Sequence, residues 1–188
     1  MALSSPDVDE VDLQLADAIL PSDWVENTIF MQNVVATASF NKEIDLPSVA
    51  WKYRSDYSPS TFAAAQIKLK VPQVTALVFS TGRLVVTGAP NEAVSTNAVH
   101  VFYNMIRAIH PDIMITATKI QNIVASTQLS SYIHLENMLA AYPVSSHYAP
   151  SLFPGLRFKL YEPKCKARTV PGNATQYSGP RAAWLALA

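Results

Sequence analysis

Cysteine is almost absent from this chain: Cys165 is the only one. A single thiol excludes an internal disulfide framework and fits a reducing compartment. Charge is sparse, at 15% of residues with a formal net charge of zero. Glycine is scarce as well, with five in 188 residues; Gly82 and Gly88 read as turn glycines, and none belongs to a phosphate-loop pattern. No apolar run approaches the roughly 18 residues a membrane span needs. Met1–Leu20 carries acids where a signal peptide has a basic end, so no membrane partner is expected. His100, His110, His134 and His147 lack metal-ligand spacing, and Cys165 has no paired ligand. The expectation is a protein with no catalytic residues, no metal and no cofactor, and therefore no enzyme. What the chain does have is apolar residues, 49% of the total, enough to bury a core in one domain or two small packed halves.

The zero net charge conceals an asymmetry. Asp7, Asp9, Glu10, Asp12, Asp17, Asp23 and Glu26 all precede the first basic residue, Lys42. Residues 1–30 thus form an acidic arm of about −7, with Val11, Leu13, Leu15, Ile19, Leu20 and Trp24 interleaved among the acids. The arm is expected to be disordered. The middle of the chain is mildly basic, and Lys164, Lys166, Arg168 and Arg181 make the last residues basic.

The chain also repeats itself. MQNVVATASF at 31–40 lines up with IQNIVASTQL at 120–129, so Gln32, Asn33, Val35 and Ala36 recur as Gln121, Asn122, Val124 and Ala125. After a two-residue insertion Tyr57, Pro59 and Phe62 recur as Tyr148, Pro150 and Phe153, and Lys68-Leu69 as Lys159-Leu160. The reading is a first copy over 31–111 and a partial second copy over 119–164. Residues 165–188 have neither period-2 alternation nor a helical stripe and are punctuated by Pro171, Gly172, Gly179 and Pro180, so they are expected to be a disordered tail.

Within the first copy, Gln32–Phe40 and Phe62–Lys70 alternate like strands, and Thr75–Ser80 with Leu84–Thr87 reads as a hairpin turning at Gly82. Asp45 can cap a short helix with Pro47 in its first turn. Val94, Ala98, Val101, Phe102, Met105, Ile106 and Ile109 keep the spacing of a buried helical stripe. An antiparallel sheet with helices on one face follows. If Val34, Val78 and Val86 point to the helices, then Asn33, Val35, Thr37, Leu77, Phe79, Val85 and Thr87 point away. Such an apolar face meets a partner, whether a ligand, the chain's own arm or a second subunit.

Asn33-Val34-Val35, Phe62-Ala63-Ala64, TALVFSTGRLVVTGA at 75–89, KIQNIV at 119–124 and Leu152-Phe153-Pro154-Gly155-Leu156 resemble the TATA-box-binding protein family over residues 31–163. The resemblance implies an α+β fold: a duplicated saddle, a curved antiparallel sheet with helices on the convex face, here with an incomplete second repeat. It implies a general transcription initiation factor of the nucleus whose concave sheet grips the minor groove of AT-rich double-stranded DNA as a monomer. By position, Asn33 and Asn122 match the paired asparagines at the saddle centre. An amide donor suits a groove where A·T pairs present only acceptors. Val35, Leu77, Val85, Thr87 and Val124 match the apolar floor. Phe62 and Phe79 match the pair that wedges a base step, and Phe153 matches one member of a second pair. Lys68 and Lys159 match residues that meet backbone phosphates.

The resemblance also implies transcription factor IIA-like and IIB-like partners, with Ala149 and Ser151 standing where the family has two acids that hold factor IIB. Ser60-Thr61 replaces a basic pair, and Arg107 is the only full positive charge among the outward residues of the long helix. Two strands and a final helix of the second copy are expected to be missing, which would leave Tyr148–Leu160 an exposed edge. The alternative reading is a paralogue that no longer grips DNA and serves as a protein-interaction module or decoy, or a truncated product.

Overall fold

The alternation at 30–40 forms a strand, β1 (Phe30–Phe40), in which Val34, Ala36, Ala38 and Phe40 are buried while Val35 and Thr37 between them are half-exposed. The computed structural model describes residues 29–128, 133–160, 165–169 and 174–179. Apart from Ile29 and Phe30, the acidic arm expected at 1–30 lies outside the described residues, as does the end of the chain after Gly179.

Two compact units divide the described residues, one of them including Val34–Gln121 and the other including residues 29–33 and those from Asn122 on. In the first unit, α1 (Leu46–Tyr53) follows β1, then β2 (Ala64–Lys68), β3 (Thr75–Phe79), β4 (Arg83–Ala89), α2 (Glu92–Arg107) and the start of β5 (Ile115–Gln128). The strands stand in the order β2-β3-β4-β1-β5, and the pairings of β2 with β3, β3 with β4 and β4 with β1 are antiparallel. Every second residue goes into the core: Ala76 and Val78, Leu84 and Val86, Val34 and Ala36 are all buried. The helices supply Val49, Val94, Ala98, Val99, Phe102 and Ile106 to that core. This is the α+β architecture expected from the pattern, with helices on the buried side of an antiparallel sheet.

Local chemistry explains the joints. Gly82 turns β3 into β4 at φ 81°, a left-handed conformation that suits glycine, and a Cβ there would collide with the Lys42 carbonyl. Gly88, at φ 97°, lies where a Cβ would come within 2.5 Å of the Gln73 carbonyl oxygen. Asn91 caps α2, its side chain accepting from the Val94 N–H at 2.8 Å. At α1 the expected cap differs: Asp45 occupies the cap position, but its carboxylate accepts from the Ser48 hydroxyl and makes no side-chain bond to the backbone. The buried stripe of α2 also differs from the sequence pattern. It runs through Val94, Ala98, Phe102 and Ile106 with Ser95 and Val99 beside it, while Val101 and Met105 are half-buried and Ile109 lies past the helix end. Small Ser95 can sit against the sheet where a longer residue would not fit, which rotates the stripe toward it.

The second unit holds the rest of β5, then α3 (Leu135–Ala141), β6 (Ser146–Ala149), β7 (Phe153–Leu160), β8 (Cys165–Thr169) and β9 (Ala174–Gly179), with strands in the order β5-β9-β8-β7-β6. At 165–169 and 174–179 strands stand where a tail was expected; residues 170–173 and 180–188 lie outside the described residues. β8 pairs antiparallel with β7, from Leu156↔Thr169 to Leu160↔Cys165, and with β9, from Lys166↔Ser178 to Thr169↔Thr175. β9 in turn pairs with β5, from Ile123↔Gly179 to Gln128↔Ala174. The second copy is therefore not truncated after Lys164, and β7 is an interior strand; the edge is β6.

The registers of the two copies coincide. Gln66↔Leu77 and Leu77↔Val85 in the first copy become Arg157↔Arg168 and Arg168↔Gln176 in the second, a constant shift of 91 residues. Gly88 shifts onto Gly179, which is buried. Backbone ladder bonds form these strands where the side-chain pattern is weak. Continuing the same shift puts the counterpart of α2 past Gly179, outside the described residues.

Candidate nucleic-acid interface

Alternation sends one set of residues into the core and leaves the other set on the opposite face. In the first unit Val35, Thr37, Leu77, Phe79, Val85 and Thr87 are all half-exposed; the first three and Val85 lie between buried neighbours, and Phe79 and Thr87 each follow a buried valine. Register assembles them into rows. Leu77 lies opposite Val85, which lies opposite Thr37, and Thr75 lies opposite Thr87. The result is an apolar face edged with hydroxyls, with Lys68 opposite Thr75 and Arg83 opposite Ser39 at its margins. Thr37 is held there by two bonds: its hydroxyl accepts from Gln121 Nε2 at 2.8 Å and donates to the Lys119 carbonyl at 3.4 Å.

The phenylalanines expected to act together do meet. Phe62 and Phe79 pack edge to face, their ring centroids 6.2 Å apart at an interplanar angle of 66°. Phe62 precedes β2 and is 49% exposed, whereas a core phenylalanine such as Phe102 is fully buried. A large aromatic left half in water beside an apolar sheet face is a contact surface in waiting.

Lys68 is not a free cation. Its ammonium lies 3.0 Å from Asp56 Oδ2, and both side chains are well exposed. An exposed pair of this kind contributes little to stability, but it neutralises the site locally.

In the second unit Asn33, Asn122 and Val124 are half-exposed on β1 and β5, with Ile123 and Ala125 buried on β5. Gln32 Nε2 donates to Ser126 Oγ at 2.7 Å. That bond is the repeat counterpart of Gln121 to Thr37, since Gln32 shifts onto Gln121 and Thr37 onto Ser126. Phe153 begins β7 and is 40% exposed. By the 91-residue shift the counterpart of Phe79 is Val170, which lies outside the described residues. Lys159 is exposed on β7 opposite Lys166 on β8.

The sequence pattern left several positions of this interface unassigned. Thr75, Leu77, Val85 and Thr87 shift onto Lys166, Arg168, Gln176 and Ser178, so the two copies differ in chemistry at equal register. Residues 165–169 do alternate, with small Cys165, Ala167 and Thr169 between basic Lys166 and Arg168. Pro171-Gly172 is a turn dipeptide between two strand-length segments. Both signals were present; extending the repeat at its second shift would have found them. Among the described residues no group of three or more His, Cys, Asp or Glu could hold a metal ion, and no helix is long and apolar enough to cross a membrane.

The family model described as Transcription factor TFIID (or TATA-binding protein, TBP) matches residues 28–109 and 117–169. A TATA-box-binding protein of Candida albicans is 38% identical over 135 residues, covering 71% of this chain and 57% of the relative. A TATA-box-binding protein of Saccharomyces cerevisiae is likewise 38% identical over 135 residues, covering 71% and 56%. A TBP-related factor of Drosophila melanogaster is 35% identical over 140 residues, covering 74% and 62%. The chain thus spans little more than half the length of these curated relatives. Among solved structures, Methanococcus jannaschii TBP superposes with a TM-score of 0.71 at 28% identity, covering 85% of this chain and 93% of that one. The β8 strand falls inside the family match, which runs to residue 169. With both repeats matched in order, and the strands of each repeat found in the same register, this chain belongs to the TATA-binding protein family.

Proposed function

We propose that this protein is a general transcription initiation factor that binds the minor groove of AT-rich double-stranded DNA through the open face of its sheet. The observation that carries the reading is the apolar face of the first unit: Val35, Leu77, Phe79, Val85 and Thr87, half-exposed in register, with Phe62 against Phe79 at its end. The apolar centre of that face, with Lys68 and Arg83 at its margins, suits base edges and sugars in a minor groove. Asn33, Asn122 and Val124 continue that role on β1 and β5. The amides donate to A·T acceptors, and a G·C pair obstructs them with its amine. Phe62 and Phe79 wedge one base step; Phe153 adds an aromatic at the other copy. Lys159 meets backbone phosphate, and Lys68 does so only when DNA displaces Asp56.

The factor works in the nucleus as a monomer on DNA, with IIA-like and IIB-like factors as its partners. Ala149 is half-exposed and Ser151 exposed, without the charge that the family's acids would bring to a IIB-like partner. A gel-shift titration against AT-rich and GC-rich duplexes tests the reading. Tighter binding to the AT-rich duplex, reduced by Asn33→Ala or Asn122→Ala, is the expected result. Equal binding to both duplexes would overturn it in favour of a protein-interaction role.

A further inference from the structure

The second copy departs from the first in charge at the same register. In the first unit Asp56, Gln66, Lys68, Thr75 and Leu77 lie on neighbouring strands, and the single cation is paired with the single acid at 3.0 Å. Their counterparts are His147, Arg157, Lys159, Lys166 and Arg168. The acid has become a histidine, and three uncharged residues have become cations. His147 lies opposite Arg157, Arg157 opposite Arg168, and Lys159 opposite Lys166, so basic residues face one another in register across β6, β7 and β8. His147, Arg157, Lys159 and Lys166 are exposed and line a groove of about 350 Å³ with Ser145 and Ser146. Among the described residues neither Arg157 nor Lys166 has a carboxylate partner. Like charges on facing strands of a sheet are destabilising, so Arg157 and Lys166 on adjacent strands call for an anion.

The neighbours say which anion. Phe153 shares a small groove with His147 and Arg157, so an exposed aromatic ring stands beside the cations. Cations along a sheet face with an aromatic ring beside them suit a duplex backbone, whose phosphates repeat along the strand and whose sugars offer apolar contact. A carboxylate-bearing peptide offers the charge without that regular spacing of phosphates.

We propose that this basic face of the second unit, centred on Arg157 and Lys166, holds the phosphate backbone of double-stranded DNA without regard to sequence. The two copies thereby divide the work: the first reads base edges with an apolar face, and the second anchors the backbone by charge. The inference rests on the DNA-binding reading above, but its signature is separate. Base reading appears in the ratio of AT-rich to GC-rich affinity, and phosphate anchoring appears in the salt dependence common to both duplexes.

The test compares the full chain with the Arg157→Ser/Lys166→Ser double variant. Each phosphate contact contributes about 0.9 to the slope of log affinity against log salt. The double variant should therefore lose roughly tenfold in low-salt affinity for both duplexes alike, with a slope shallower by about two. Its AT-to-GC ratio should stay unchanged. Arg157→Lys/Lys166→Arg should restore the slope, and Lys52→Ser/Arg107→Ser, which removes the same charge from the helices, should leave it close to the parent value. An unchanged slope in the Ser double variant overturns the proposal, whatever the AT preference. So does a loss of polyglutamate binding with duplex binding intact, which would make the partner an acidic protein. A missing AT preference with the slope change present sinks the base-reading account and leaves the basic face standing.

Discussion

Replacing Phe62 by alanine separates a residue kept for a partner from one kept for the core. Phe62 is 49% exposed and touches Phe79 with ring centroids 6.2 Å apart, whereas Phe102 on α2 is fully buried under the sheet. Burying a whole phenylalanine side chain contributes about 1.5–3 kcal/mol, so half of one contributes about 1. The edge-to-face pair adds roughly 0.5–1.5 kcal/mol. Phe62→Ala should thus cost about 1.5–2.5 kcal/mol, with little cavity term because its site already opens to solvent. Phe102→Ala leaves a closed cavity and should cost about 3–5 kcal/mol. Urea unfolding followed by far-ultraviolet circular dichroism gives both numbers, provided the slopes with denaturant match. The second half of the experiment is binding. Phe62→Ala should weaken AT-rich DNA binding at temperatures where the protein is fully folded. If Phe62→Ala destabilises as much as Phe102→Ala, or leaves DNA binding untouched, the ring belongs to the core and the reasoning fails.

Three further outcomes follow from the same geometry. Ser95 is fully buried on α2 and its hydroxyl has no hydrogen-bond partner among the described residues, so Ser95→Ala should stabilise the protein by up to about 1 kcal/mol in thermal unfolding; destabilisation would show that the hydroxyl is satisfied. Tyr53 donates its hydroxyl to the Met105 carbonyl at 2.6 Å, tying α1 to α2, and burial raises its pKa above the ordinary 10.0. The raised value means that the neutral phenol stabilises the fold fully below pH 10 and that this contribution is lost as pH climbs through the folded-state value. Tyr53→Phe should therefore cost about 1 kcal/mol at neutral pH, a gap that closes in alkali; a constant gap in urea titrations across that range would refute the assignment. Finally, Phe62 and Phe79 form a pair while the counterpart of Phe79 in the second copy is Val170, so DNA should show one strong kink. Energy transfer between end labels that reports two equivalent kinks would contradict this.

The elements with strong period-2 or helical patterns were readable before any coordinates. The two-faced division of β1, β3 and β4 follows from alternation alone, because a strand that buries every second valine or alanine must show the others. What the pattern did not show were strands whose two faces are both poorly hydrophobic. In β8 the alternation sets small residues against basic ones, and in β9 Gln176, Tyr177 and Ser178 carry no apolar stripe. Such strands owe their place to ladder bonds with β7 and β5, a tertiary effect. The pairing of Lys68 with Asp56 was hidden for a related reason: an isolated bridge between residues 56 and 66 brings two separated segments together. Asp45 shows a different limit. Its residue type fits a helix cap, but Ser48 three positions on offered its carboxylate a closer partner.

The most direct test of the central reading replaces each A·T pair of a preferred AT-rich site with an inosine–cytosine pair. That pair lacks the guanine amine, so it presents the minor groove of A·T together with the major groove of G·C. A protein that lays Val35, Leu77, Val85 and the amides of Asn33 and Asn122 into the minor groove should bind the substituted duplex nearly as tightly as the A·T original, and both more tightly than a G·C duplex. If the substituted duplex instead binds as weakly as G·C, the groove being read is the major one, and the account of this face is wrong.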